Sequence, residues 1–470
     1  MALTTDRQKC AHLLRRFGLG ASEAELDFYL SKGGIDGAID TLLNYEGTPE
    51  GWDLDVEAMA NKNNNNVNPQ AVGVWWVGRM LVTARPLQEK MTLFWHDHFA
   101  TSGSKVTNGR VMHGQNEVLR ANATGNFRTL LREVSKDPAM LLWLDNQYNV
   151  KGKPNENFAR EIMELFTLGI GNYTEKDIQE GARAFTGWSI GRGPQGRPIG
   201  DNAKIPRGSL GFQFRPTLHD SGSKSFLGKT GNFDGDDIID ILCDNPRTAF
   251  YITHKLWEWF VYPEPDEKVI QPVADKFHKS NMNIKLLLRT VMKHPEFYSA
   301  RAERKIFKCP VDFSIAILRQ LGIGQMVAQR LAAGGDNVGQ QLGPAFLAKQ
   351  KMKSMGMDLL FPPDVAGWDS GANWVTSATM VERINYANIV FGTGARNVRY
   401  PAASLIGDAS PEQAVGKLLS IFDLELPMNK VNILVDAARQ AQSKAKGDSA
   451  AAMAQAIARL IFATPEFQFC

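Results

Sequence analysis

Cysteine is scarce in this chain: among 470 residues there are four, Cys10, Cys243, Cys309 and Cys470, and no two are close in sequence. That scatter excludes a Cys-x-x-Cys redox motif and a cysteine-based zinc site. A chain of this length can also bury a core without disulfides. No uninterrupted apolar run reaches transmembrane length, so no helical membrane span is expected. Charge of one sign is missing too. Lys and Arg number 53 against 50 Asp and Glu, a net +3, which does not give the basic surface of a nucleic-acid binder. There is no Gly-rich phosphate loop ending in Lys-Ser/Thr, no His-Glu-x-x-His and no Gly-x-Ser-x-Gly elbow. Alternating strands for a dinucleotide fold are lacking as well. What remains, at 43% hydrophobic residues, is a chain that folds.

The opening Arg15-Arg16-Phe17-Gly18-Leu19 echoes a twin-arginine export signal, but acids Glu23, Glu25 and Asp27 follow where an apolar stretch is needed. Ser22-x-x-Glu25 reads instead as a capping box that starts a helix. By its own sequence the chain is expected to be cytoplasmic.

The pattern along the chain is helix after helix. Met91, Phe94, Trp95 and His98 fall at i, i+3, i+4 and i+7, the stripe of an amphipathic helix. Asn245-Pro246 opens another helix, running through Phe250, Leu256, Trp257 and Phe260 to a stop at Pro263. Ser410-Pro411-Glu412-Gln413 joins cap, first-turn proline and capping box. The fold expected is mainly α, a large multi-helix assembly with long irregular loops and at most a small β element. Three segments interrupt it: the asparagine-rich 61–69, the Gly-, Pro-, Asp- and Lys-rich 189–233, and Phe361-Pro362-Pro363-Asp364-Val365-Ala366-Gly367-Trp368. A faint echo links His294-Pro295-Glu296-Phe297 with Thr464-Pro465-Glu466-Phe467; a shared helix-stop device explains it as well as duplication does. One family-length domain, 1–470, is expected, with sub-regions 1–188, 189–235 and 236–470.

Chemistry could sit in three places. In Phe94-Trp95-His96-Asp97-His98-Phe99, two histidines one residue apart can share a metal on extended backbone. On a helix, however, positions two apart point about 200° from each other. His98 then faces inward beside Phe94 and Trp95, and a buried structural histidine competes with a site role. In Asn155 to Thr167, Phe158, Ile162 and Leu165 form a buried face. Asn157, Glu161 and Glu164 make a polar stripe beside it, with Arg160 at its edge. Two carboxylates on a core border are costly unless paired or liganding. They either do acid–base or ligand work or are neutralised in a network by Arg160 and another arginine such as Arg183. Asp145-Asn146 ends an apolar run and either faces the same cavity or ends a helix. Finally, His219, Asp220 and Lys224 in the long loop could close over a site. Asp234 or Asp236, next to Gly235, reads better as a helix cap than as a calcium ligand.

These stretches resemble, from end to end, the bacterial DUF1800 family, a domain of unknown function. The resemblance is carried by Leu13 to Gly20, Phe94 to Ser102, Asp137 to Leu141, Asn155 to Gly169, Ala184-Phe185-Thr186-Gly187-Trp188, Gly228 to Asp237 and Pro362 to Trp368. It implies a mostly helical fold and no established activity. Relatives are often encoded beside a sulfatase-like family, DUF1501, whose members frequently carry twin-arginine signals. Such a partner could carry this chain out of the cytoplasm. Many relatives place histidine where this chain has Phe166, so a metal site using that position lacks its imidazole here.

The leading expectation is therefore an enzyme-like pocket doing hydrolytic or acid–base chemistry on a polar substrate, a glycan or a phosphorylated compound. Glu161, Glu164 and His98 are the catalytic candidates, and His96, His98, Glu161 and Glu164 the ligands of a candidate divalent metal. Arg160, Asn157, Asp145, His219, Asp220 and Lys224 would bind substrate. The alternative is a non-catalytic scaffold or partner subunit of a DUF1501-type protein, with an exposed aromatic loop around Trp368 and Trp374 as its contact surface.

Overall fold

Capping side chains and prolines start the helices where the sequence places them. In the computed structural model, which describes residues 3–20, 22–192, 210–334, 337–392 and 401–470, Ser22 and Glu25 close a reciprocal capping box on Glu23–Leu30. Ser410 and Gln413 do the same on Pro411–Ile421. Asn245 caps Pro246–Phe260, with proline in the first turn whose N–H would be orphaned anyway. Asp234 caps Gly235–Asp244, while Asp236 in its first turn pairs with Arg132 and Lys136. The protein is mainly α, 63% helical. Among the described residues its strands form two antiparallel pairs, Trp188–Arg192 with Leu210–Phe214 and Lys224–Phe226 with Lys229–Gly231. Both pairs fall within or beside the segment read as irregular, whose residues 193–209 lie outside the described residues. No helix among the described residues is long and apolar enough to cross a membrane.

Two apolar cores form, interleaved along the chain. The first gathers Leu13, Phe17, Phe94, Trp95, Phe127, Phe158, Ile162 and Trp257. The second gathers Trp75, Trp76, Leu93, Phe313, Leu360, Tyr386 and Phe462. The Pro86–His98 helix lies between them and serves both: Leu93 packs into the second core while its neighbours Phe94 and Trp95 pack into the first. Such a helix is buried nearly all round, which is why its polar residues must find partners inside. The echoed Pro-Glu-Phe motifs form short helical turns at Pro295–Tyr298 and Pro465–Gln468. Phe297 is buried in the first core and Phe467 in the second.

The aromatic side chains of the segment around Trp368 and Trp374 are not exposed, contrary to expectation. Both indoles are buried in the second core. A run rich in proline and glycine looks like a surface loop in sequence, but its large aromatic side chains supply apolar area that the core takes up.

Candidate functional site

Three consecutive residues at the end of the Pro86–His98 helix hold three other stretches of chain. His96 Nε2 accepts the N–H of Leu360 at 3.2 Å. Asp97 Oδ1 accepts the N–H of Trp368 at 2.8 Å. His98 Nε2 donates to the carbonyl of Phe166 at 3.1 Å. The first two contacts pin both ends of the Pro362–Trp368 loop. The third seats the end of the Asn157–Glu164 helix.

Because His96 accepts and His98 donates through the same ring atom, the two neutral rings carry opposite tautomers. Helical geometry sends them to opposite cores: His96 packs edge-on to Trp76 and against Trp368, His98 stacks with Phe94 and meets Phe99 edge-on. Burial drives the His96 pKa down to about 3 and holds His98 well below the usual imidazole range. Both are structural clamps. They do not join Glu161 and Glu164 in a ligand set, and among the described residues no group of three or more His, Cys, Asp or Glu is arranged to hold a metal ion.

The Asn157–Glu164 helix ends in a widened turn. The N–H groups of Leu165 and Phe166 both reach the carbonyl of Glu161, at 2.9 and 3.1 Å, and Leu168 N–H reaches Met163 at 2.8 Å. Gly169, at φ +79°, completes the reversal with its N–H on the same Met163 carbonyl. Phe158 and Ile162 are buried as expected, leaving Glu161 and Glu164 half-buried on the border. Glu164 accepts the hydroxyl of Tyr173. Among the described residues the Glu161 carboxylate has neither hydrogen bond nor ion pair. Burial, then Glu164, raise its pKa; Arg160 opposes and Asp364 adds to the rise.

The arginines that would neutralise these acids are committed elsewhere. Arg160 forks onto Glu175 at 3.0 and 2.9 Å. Arg183 holds Glu180 and Asp220, each at 2.8 Å. Neither arginine makes a hydrogen bond to Glu161 or Glu164, and Arg160 acts on Glu161 through its charge alone.

The other substrate-binding candidates are also occupied. Asn157 is exposed and donates to the Leu144 carbonyl. Asp145, in left-handed backbone at φ 58°, pairs with Lys105 at 2.8 Å. His219 Nδ1 bonds the Thr186 carbonyl at 2.9 Å. Asp220, held by Arg183 at a pKa of about 2, also accepts from Gly222 N–H. Lys224 is buried and donates to the carbonyls of Asp220 and Gly222. None of these bonds reaches Glu161 or Glu164. The loop cluster fastens itself to the Glu175–Ala184 helix because buried polar groups close their bonds with the nearest partners.

Two titratable groups that the sequence did not single out lie beside the histidine clamps. Asp97, between the histidines, has its pKa raised by burial to about 6, opposed by the Trp368 N–H and by Lys255. Lys255, on Pro246–Phe260, has its pKa lowered by burial, opposed by Asp97 and Glu258. Tyr251, one turn before Lys255, donates its hydroxyl to the Leu165 carbonyl at 3.1 Å, and so brings this helix against the end of the glutamate helix. The sequence signal for Lys255 was its spacing of four from Tyr251 on a strongly marked helix. The signal for Asp97 was its place inside the motif itself.

The fold and this site define a mainly helical protein with a carboxylate-rich surface site held by backbone clamps. The chain belongs to the family described as "Protein of unknown function (DUF1800)", whose model matches residues 12–469. No curated protein matches it, and no solved structure does.

Proposed function

We propose that this protein is an enzyme whose acid–base centre is formed by Glu161 with Glu164 and Asp364, acting on an uncharged, hydroxyl-rich substrate such as a glycan. One observation carries the reading: Glu161 is half-buried, has no bonding partner among the described residues, and is faced by two further acids. A carboxyl so placed keeps its proton to higher pH and can deliver it, while a second carboxylate receives one. Like-charge repulsion disfavours the phosphorylated alternative, whereas hydroxyl groups donate readily to carboxylates. The test is turnover of neutral oligosaccharides and of their phosphorylated counterparts by wild type and Glu161→Gln. Activity on the neutral series should fall about 100-fold or more in the variant, and in wild type should decline as pH rises through the Glu161 pKa. Equal rates for wild type and variant would reject the assignment.

A second reading, a subunit that docks a partner of the DUF1501 kind, is favoured by Met428 and Ile433, which are 71% and 59% exposed on the Met428–Lys444 helix. Under it, the protein stays in the cytoplasm alone and leaves with an exported partner. Co-purification with such a partner, lost in Met428→Lys/Ile433→Lys, would decide for it; retention in the double variant would count against it.

A further inference from the structure

We propose that Arg15, Arg16, Arg304 and Lys308 form an internal site for a small inorganic oxyanion, phosphate or sulfate, where the Asp6–Phe17 helix meets segments 302–308 and 468–470. The site shares no residue with the glutamate centre and does not depend on that reading. Arg15 and Arg16 lie in the last turn of the Asp6–Phe17 helix. Arg16, 1% exposed, donates Nη2 to the Ala302 carbonyl and holds Nη1 3.9 Å from the Cys470 sulfur.

Backbone pairing fixes the facing wall. Lys308 N–H donates to the Gln468 carbonyl at 2.8 Å and Cys470 N–H to the Ile306 carbonyl at 2.9 Å. Arg383 backs this wall through the Lys308 carbonyl at 2.8 Å. The Lys308 ammonium stands 3.8 Å from the centre of the Phe467 ring and makes no hydrogen bond or ion pair among the described residues. On the outer side Arg15 pairs with the Asp423 carboxylate. Arg304 donates to the Asp423 carbonyl and lies 4.0 Å from the same carboxylate. Arg304 and Asp423 both sit in left-handed backbone, at φ 49° and 48°, a conformation that persists only where its surroundings enforce it.

The charges in this cluster do not balance. Asp423 is the carboxylate bonded to it, while Asp312 is engaged by Lys90 and Glu466 by Lys430. Glu303 supports the charge of Arg304. His12 is buried beside Arg15 and Arg16 and held well below the usual imidazole range, so it adds no charge. Donors are left over as well: the Nε groups of Arg15 and Arg16 are buried without a partner. Buried cations lacking an anion are costly, and the groups themselves register it. Burial, then Arg304, push Lys308 down to about 7. Burial, with Arg15 adding, lowers Arg16 and Arg304 to about 10. An oxyanion supplies the missing charge and the missing acceptors together, and guanidinium groups match its geometry. The side chains of Asp423 and Arg304, 38% and 21% exposed, mark the mouth. Buried Arg16 marks the floor, which suits a free ion over a phosphoryl group on a larger molecule.

The probe is inorganic phosphate at pH 7 in a zwitterionic buffer, titrated calorimetrically beside sodium chloride of equal ionic strength. Wild type should bind phosphate with a saturating heat that chloride does not reproduce. Lys308→Met, which keeps an aliphatic stem against Phe467, and Arg304→Gln should each weaken binding about tenfold or more, the worth of one charge-assisted hydrogen bond. Lys444→Gln, an exposed cation at the end of the Met428–Lys444 helix, should leave binding unchanged. Hydrogen exchange of wild type locates the ion even where a variant folds poorly: phosphate should slow the amides of Lys308 and Cys470. Heat no greater than that of chloride, wild-type affinity in Lys308→Met and Arg304→Gln, or exchange at these amides unmoved by phosphate would each overturn the inference. Glycerol phosphate should bind more weakly than phosphate, and equal affinity would overturn the assignment to a free ion.

Discussion

The imidazole of His98 donates its Nε2 hydrogen to the carbonyl of Phe166 at 3.1 Å, tying the end of one helix to the widened end of another. This bond holds the turn that carries Glu161 and Glu164 against the first core. His98→Phe keeps an aromatic ring against Phe94 but strips the Phe166 carbonyl of its buried partner. It should cost about 1–3 kcal/mol in urea unfolding, and an unchanged midpoint would show the bond to be dispensable.

His96 makes its contribution only when neutral. Its folded pKa is depressed by burial to about 3, so its stabilisation is complete above the unfolded value of about 6.5 and is lost as pH falls toward the folded value. His96→Asn should destabilise the protein at pH 7. The gap between variant and wild type should narrow by about 2 kcal/mol at pH 5, from the linkage of one proton. Urea titrations at the two pH values measure it, and a pH-independent gap would mean that His96 does not titrate between them.

Gly367 shows how closely the loop is seated. Its backbone lies at φ +92°, and an added Cβ would stand 2.4 Å from Asp97 Oδ1. Gly367→Ala therefore combines backbone strain with a displaced carboxylate and should lose about 2–4 kcal/mol. Gly371, at φ +68° with open space around it, is the control: its alanine variant should lose only about 1–2 kcal/mol. Equal losses in the two thermal melts would contradict the close seating against Asp97.

Glu89 is the charged keystone between the cores. Fully buried, it accepts from Arg79 Nε at 2.8 Å, from Arg120 Nε and Nη2 at 2.6 and 3.0 Å, and from Trp76 Nε1 at 2.8 Å. Its pKa is lowered because the arginines outweigh its burial. Glu89→Gln removes the buried anion that Arg79 and Arg120 share, leaving them Glu50 and Glu117 as remaining carboxylate partners, and should cost about 3–5 kcal/mol. A chemical denaturation midpoint within error of wild type would show that neighbouring acids compensate.

Much of the fold was legible because it is encoded by neighbours. Ser22 with Glu25, Asn245 with Pro246, and Ser410 with Gln413 are local devices, and each starts its helix as read. The 200° rule placed His98 beside Phe94 and Trp95 and turned His96 away. Of the site, the Glu161/Glu164 stripe was legible as acids bordering a core. The fate of the arginines was not, since Glu175, Glu180 and Asp220 are all plausible partners by composition and only packing brings them into place. The exposure of Trp368 and Trp374 was misread for a related reason: local polarity and turn residues carry no information about which distant helices lie above them.

Helical class, cap positions and the amphipathic border of the glutamate helix follow from interactions within a few residues, whose geometry the covalent chain already sets. Tertiary structure alone decided that His96, Asp97 and His98 grip three separate segments, that the two histidines do not meet the two glutamates as ligands, and that Lys255 comes beside Asp97. Asp97 and Trp368 are 271 positions apart. A contact of that span forms only when both cores have closed, because the hydrogen bond contributes about 1 kcal/mol net and cannot by itself offset the entropy of ordering the chain between its partners.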